Sequence, residues 1–398
     1  AMTIRTTHVG SLPRTPELLK ANAAHREGSL SDADFTSVLQ AEVDGVVKRQ
    51  AEIGLDIVND GEYGHAMLDT VDYGAWWTYS FSRFGGLSFE NSGGFELRPP
   101  AGRDGRLAFS SFAERRDWQR FADAYGDPES GIQIVSDNKV VFPAIVDELT
   151  YIGAEAVERD IAGVKHALEA VGKPVSDGFV AAISPGSAAR VGNAFYEDDE
   201  AVVWACADVL REEYKRITDA GLTVQIDAPD IAEGWDQMNP EPSVEDYRAF
   251  SRVRIDALNH ALEGIDPSLV RFHVCWGSWH GPHTTDIAFK DIVDLALLVN
   301  ANGLTFEAAN ARHAHEWTIW RDIELPDGKY LIPGVVSHST NVVEHPELVA
   351  QRIRQFADIV GDERVVASTD CGLGGRIYPS IAWAKLEALA EGARLASK

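Results

Sequence analysis

The sequence predicts an α/β chain folded as a (β/α)8 TIM barrel, with an insertion after the second strand. Three observations predict it. Eight short runs of strand character recur along the chain, most of them separated by stretches with helical periodicity. No Gly-x-Gly-x-x-Gly lies between a strand and a helix, which argues against a doubly wound open sheet. Histidine, cysteine and acidic residues fall at the ends of the runs, where barrels of this kind keep their chemistry.

The elements follow in order. Thr6 to Arg14 opens as a short strand closed by a Gly and Pro turn, and Thr15-Pro16 is an N-cap with Pro at the first helical position. Ser31 caps a second helix, in which Phe35, Val38, Leu39, Val43, Val46 and Val47 recur at helical spacing until Gly54. Asp56 to Asp60 is the second strand, with Glu62 just past its end. Residues 63–150 break the rhythm. Tyr73 to Phe84 is dense in aromatics, and a hairpin-like pair of strand patterns follows around Gly105–Phe109 and Gly131–Val141. This reads as an aromatic-rich insertion packed near the catalytic face of one barrel spanning 1–398. Its aromatics suit a local core, an oligomer contact or a substrate lid.

Regular alternation then resumes. A helix follows Gly153, a strand lies within Pro174–Ile183, and a helix fills Glu200–Ala220. Strands are expected at Thr223–Asp227, Val270–Cys275, Leu304–Glu307, Tyr330–Ser337 and Val365–Thr369, with helices at 244–263, 287–301 and from Pro346 to Gly361.

Composition bounds the function. A formal net charge of −26 leaves no cationic footprint for nucleic acid or an anionic membrane. No run is long enough to span a bilayer, and nothing after the Ala1 that precedes Met2 resembles a signal peptide. The 3 cysteines are too few and too odd in number for a disulfide scaffold, so a reducing cytoplasm is expected.

The chemistry centres on Arg271 to His283. In a strand, residues two apart share a face, so His273 and Cys275 project side by side. Alone, such a pair is commonly a satisfied histidine beside a buried thiol. At the rim of a barrel, however, it is joined by Glu307 and Cys371 from later strand ends. Two thiolates, a carboxylate and an imidazole select Zn²⁺ and surround it with negative charge. Such a centre is a poor source of hydroxide and a good holder of a substrate thiol. His8, Glu62, Asp227 and His338 lie on the same rim. His8 also suits a bracing role in the first turn. Cys206 lies in a helical stretch and suits packing. His280, His283, His313 and His315 fall in loops, as solvated side chains or a rival metal cluster.

These residues resemble the cobalamin-independent methionine synthase family, in its C-terminal catalytic barrel, and the single-barrel relatives that include epoxyalkane:coenzyme M transferases. The matching pieces are Thr7-His-Val-Gly-Ser-Leu-Pro-Arg14, Asp60-Gly-Glu62, Gln225-Ile-Asp-Ala-Pro229, His273-Val-Cys275, Glu307, Ser337-His338-Ser339 and Thr369-Asp-Cys-Gly-Leu373. The resemblance implies zinc on His273, Cys275, Glu307 and Cys371. It implies a homocysteine site in which the Ser11 backbone meets the carboxylate while Glu62 and Asp227 meet the amino group. It gives Asp227 and His338 the catalytic places, His338 as proton donor to the departing nitrogen. The family usually has Asp-Glu-Pro where this chain has Asp227-Ala-Pro229, and the folate-using synthases carry a second barrel.

The expected activity is therefore a zinc-dependent thiol alkyltransfer, with methyl transfer to homocysteine leading. The partners are a small thiol and a small alkyl donor, and a homo-oligomer is left open. The alternatives are epoxide opening by a zinc-bound thiol such as coenzyme M, and a non-catalytic metal-binding protein. Two carboxylates favour the ammonium of homocysteine over a sulfonate. Arg14 is the nearby cation that would weaken this preference.

Overall fold

A computed structural model describes residues 3–68, 75–90, 107–110, 112–132 and 143–397. Strand β1 (Arg5–Thr6) leads into helix α1 (Pro16–Arg26), capped by Thr15 Oγ1, which accepts from Leu18 N at 3.1 Å. Helix α2 (Asp32–Ile53) starts at the Ser31 cap and ends at Gly54, whose φ of 99° is the left-handed geometry expected at a helix C-cap. Next come α3 (Ala75–Phe81), β2 (Phe84–Ser88), α4 (Arg116–Arg120), α5 (Ala122–Gly126) and β3 (Ala144–Tyr151). The chain continues through α6 (Ala154–Ala170), β4 (Phe179–Ile183), α7 (Pro185–Ala188), β5 (Gly192–Asn193), α8 (Asp199–Asp219), β6 (Thr223–Asp227), α9 (Pro229–Ala232) and α10 (Val244–Ala261). It ends with β7 (Val270–Val274), α11 (Val293–Ala296), β8 (Gly303–Phe306), β9 (Tyr330–Val336), α12 (Pro346–Val360), β10 (Val366–Thr369) and α13 (Pro379–Ala396).

Seven strands form one curled parallel sheet, ordered β1-β10-β9-β8-β7-β6-β4. Strands β4, β7 and β8 are buried at every residue, as a sheet covered on both faces requires. The expected second strand, Asp56–Asp60, reduces to a single bridge at Val58. It is bonded on both sides. Asp56 N and Ile57 N donate to Thr6 O at 3.1 and 3.0 Å, Val58 N donates to Asp177 O at 2.9 Å, and Phe179 N donates to Val58 O at 3.1 Å. This segment therefore touches both ends of the seven-stranded order.

The structure departs from expectation in three further places. A separate sheet of order β2-β3-β5 pairs Phe84–Ser88 with Ala144–Tyr151 antiparallel. Gly86 (φ 94°) lets β2 press against β3, where an added Cβ would lie 2.5 Å from Glu148 O. The expected hairpin is not this one: Leu107–Phe109 is not a strand, while Gly105 and residues 133–141 lie outside the described residues, as do Tyr73 and Gly74. The expected helix over 287–301 is broken into short turns, and only Val293–Ala296 is α-helical. Asn259 takes the backbone groups a longer helix would pair, its Nδ2 donating to Leu298 O and its Oδ1 accepting from Asn300 N. Finally, regular structure continues past Gly372 into α13, which packs along α12.

Candidate active site

The strand ends bring three of the four predicted ligands together, His273, Cys275 and Cys371, and leave Glu307 in an adjoining group. His273 lies in β7, paired in register with Asp227 of β6 and Thr305 of β8. Cys275 follows β7, and Cys371 follows β10. The Cys371 turn is tied to the first turn of the chain by Leu373 N and Gly374 N, which donate to Ser11 O at 3.1 and 2.9 Å. The ligand atoms of His273, Cys275 and Cys371 all lie within 4.8 Å of one another, and all three residues are buried.

The donor set suits a soft cation. His273 Nδ1 is hydrogen-bonded to Thr305 Oγ1, which fixes the ring, while its buried Nε2 has no hydrogen-bond partner. The thiols behave as a pair. Contact with Cys275, helped by the His273 ring and the charge of Arg376, holds Cys371 well below the usual thiol range. Contact with Cys371, together with burial, pushes Cys275 well above it. These shifts place the pair's one negative charge on Cys371, with Arg376 as its nearby cation. A dication facing the orphaned Nε2 would hold both as thiolates, so these residues fit zinc.

Glu307 falls in an adjoining group with His338 and Asp370, whose ligand atoms also lie within 4.8 Å of one another. Its Oε2 accepts from Trp276 N at 2.6 Å and its Oε1 from Asn310 Nδ2 at 3.1 Å. Burial and the Asp370 charge push its carboxyl well above the usual range. His338 Nδ1 is 3.9 Å from Glu307 Oε1 and lacks a hydrogen bond. Burial depresses the ring to about 3, so it is neutral at physiological pH.

A second pair of acids adjoins the thiols. Glu62 is held in a left-handed backbone conformation (φ 60°), rare for a side-chain-bearing residue. Burial and the Asp227 charge raise its carboxyl to about 8, against the pull of Arg14. Asp227 accepts from Gln225 Nε2 at 2.8 Å and from Trp76 Nε1 at 3.2 Å, and burial raises it to about 6. Arg14 spends its guanidinium on Ser11 Oγ and on the carbonyls of Leu12, Gly61, Glu62 and His65 rather than on either carboxylate.

Ser11, Glu62, Asp227, His273, Cys275 and Cys371 share one cavity of about 290 Å³, while Glu307 and His338 line an adjoining one. Trp76 and Trp77 of α3 line the first cavity too, while Phe84, from the same aromatic stretch, lies in the buried core. Sequence reasoning missed Arg115, Arg190, Glu233, Trp279 and Arg376, which also line it. None sits at the end of a sheet strand, so the positional signal that singled out the others was missing. His8 is a brace, bonded to Gln50 Oε1 at 2.8 Å and accepting from Gly10 N at 3.2 Å. The loop histidines do not form a metal cluster among the described residues. His313 is bonded to Asp286 and Glu316, His283 to Asp286, His280 to the His338 carbonyl, and His315 is exposed.

The family described as "Cobalamin-independent synthase, Catalytic domain" matches residues 4–75 and 128–394. The chain belongs to this cobalamin-independent synthase family. A 5-methyltetrahydropteroyltriglutamate-homocysteine methyltransferase of Pasteurella multocida (strain Pm70) is 24% identical over 392 residues, covering 97% of this chain and 42% of that protein. One from Chelativorans sp. (strain BNC1) is 25% identical over 398 residues, covering 98% and 42%. The chain thus spans less than half the length of these synthase relatives. The structure of a B12-independent methionine synthase from Shewanella sp. W3-18-1, in complex with selenomethionine, shares the fold with a TM-score of 0.69 at 17% identity, covering 99% of this chain and 98% of that one. Among the described residues no helix is long and apolar enough to cross a membrane.

Proposed function

We propose that this chain is a zinc-dependent thiol alkyltransferase whose leading reaction is methyl transfer to homocysteine, giving methionine. The observation that carries the reading is the meeting of His273, Cys275 and Cys371 on one cavity with the buried acids Glu62 and Asp227. Glu307 is the fourth ligand in this reading, turning from Trp276 N toward the thiols. Zinc, when bound, supplies charge that keeps a thiol ionised near neutral pH, while the anionic ligands leave the sulfur electron-rich enough to attack an alkyl carbon. Glu62 and Asp227 hold the substrate ammonium, and the Ser11 main chain meets its carboxylate. His338, neutral at pH 7, takes up the proton that the substrate thiol loses and, as imidazolium, passes it to the nitrogen that loses the methyl group. Trp76 and Trp77 exclude water from the cavity.

The Val58 segment serves as the eighth stave, closing 1–398 into one (β/α)8 barrel, with 63–150 as an insertion beside the catalytic face. Three free and buried cysteines suit a reducing, cytoplasmic setting. Epoxide opening with coenzyme M is the second reading, favoured by the buried Arg115 and Arg190 on the same cavity.

Metal analysis and a methyl-transfer assay test the proposal. Wild-type protein is expected to hold one tightly bound zinc, and Cys371→Ala to lose both the tight zinc and transfer to homocysteine. A Cys371→Ala protein with full zinc and full activity rules the assignment out.

A further inference from the structure

Arg115 and Arg190 line the cavity of the thiol centre and are each 0% exposed. Both turn to one acid. Glu233 Oε1 accepts from Arg115 Nη2, and from Arg190 Nη1 at 3.3 Å. Arg190 Nη1 also donates to Gln237 Oε1 at 3.2 Å. Two guanidinium groups against one carboxylate leave a formal surplus of one positive charge. Asp236 also feels Arg115, but its oxygens accept from Thr285 Oγ1 and Asp117 N instead.

Aromatic rings cover the guanidinium faces. Arg115 Cζ lies 4.4 Å from the ring centroids of both Phe112 and Trp279, and Arg190 Cζ lies 4.9 Å from that of Trp77. Stacking satisfies the faces and leaves the N–H edges open. Arg115 Nε and Nη1, and Arg190 Nε and Nη2, are buried without a hydrogen-bond partner. Buried charged donors left unpaired are costly, and guanidinium edges bind best an oxyanion that can accept two N–H bonds side by side. An aromatic cage could otherwise take a methylated cation, but here the arginines fill it. Glu233 N donates to Cys275 O at 3.2 Å, which ties this cationic wall to the thiol centre.

We propose that Arg115 and Arg190 form an oxyanion subsite for a carboxylate or sulfonate carried by one of the two substrates. Which substrates these are rests on the alkyltransferase reading; the existence of the subsite does not.

The test titrates ethanesulfonate into the zinc-loaded full chain and follows tryptophan fluorescence, since Trp77 and Trp279 stack on the two arginines. Saturable binding is expected. Ethanesulfonamide, similar in shape but neutral, should give none. Arg190→Gln should weaken ethanesulfonate by about tenfold or more, and Arg190→Lys by less. Equal binding of the two ligands to wild-type protein overturns the proposal even where the variants fail to fold. An unchanged affinity in folded Arg190→Gln overturns it as well. Repeating the titration with saturating homocysteine separates the sources. Undisturbed binding assigns the oxyanion to the alkyl donor, and competition assigns it to the thiol. A protein that binds ethanesulfonate yet transfers no methyl group to homocysteine loses the methyltransferase reading and keeps the subsite.

Discussion

Glu62 holds its place by a strained backbone and by a missing side chain opposite. Its φ of 60° costs about 1–3 kcal/mol for a residue of this kind, a cost commonly tolerated where a side chain must be aimed. Gly10, at φ 141°, leaves the space. A Cβ there would lie 2.1 Å from Glu62 Oε2. Gly10→Ala is therefore expected to displace Glu62 and weaken methionine binding about tenfold or more, measured by calorimetry, with zinc content unchanged. The same residue sets a pH dependence. Its carboxyl, raised to about 8, is protonated below that pH, and holding an ammonium requires it ionised. Affinity for methionine, which has no thiol to titrate, should thus climb from about pH 6 to about pH 8 and then level, by up to tenfold per unit. Glu62→Gln should flatten that profile; an unchanged slope would remove Glu62 from the ammonium site.

Helix α3 brings Trp76 and Trp77 to the cavity, and what anchors it is an ion cluster just beyond its end. Arg83 is buried, with Nε on Glu213 of α8 at 2.5 Å and Nη2 on Asp160 of α6 at 3.5 Å. Its guanidinium also stacks on Tyr79 at 3.9 Å. Removing one partner of such a buried pair leaves an uncompensated charge, so Arg83→Leu should cost about 3–5 kcal/mol in urea unfolding. A loss under about 1 kcal/mol would mean that this cluster does not anchor the segment. Nothing in the sequence announced this link, because Arg83, Asp160 and Glu213 are far apart in the chain. What was legible depended on period and punctuation. His273 and Cys275 were readable because strand residues two apart share a face, and Cys371 because it lies just past the last strand run, Val365–Thr369. The caps at Thr15 and Ser31 and the stop at Gly54 were readable for the same local reasons. Strand β3 was not, because Asp147 and Glu148 interrupt its apolar pattern and its partner β2 is glycine-rich. Glu307 was placed on the right rim, but its bond to Trp276 N is a contact between neighbouring loops that no spacing encodes.

Across the whole molecule, strands β6, β7 and β10 of the parallel sheet bring their C-terminal ends to one cavity with two electrical characters, while Glu307 and His338, past β8 and β9, line an adjoining one. Asp227 and Cys371 make one part anionic, joined by Glu62 above about pH 8, and the buried Arg115 and Arg190 make another cationic. A chain of net charge −26 repels anions in general, so a binding preference for an oxyanion would have to come from that local wall. The central claim is that the thiols of Cys275 and Cys371 hold a metal that also receives the homocysteine sulfur. The most direct measurement replaces zinc with cobalt(II) and records the thiolate-to-cobalt absorption before and after homocysteine is added. Two protein thiolates should give a band that grows by about half when a third sulfur binds, while homoserine leaves it unchanged. A band that homocysteine does not alter, or that homoserine alters equally, would contradict the account.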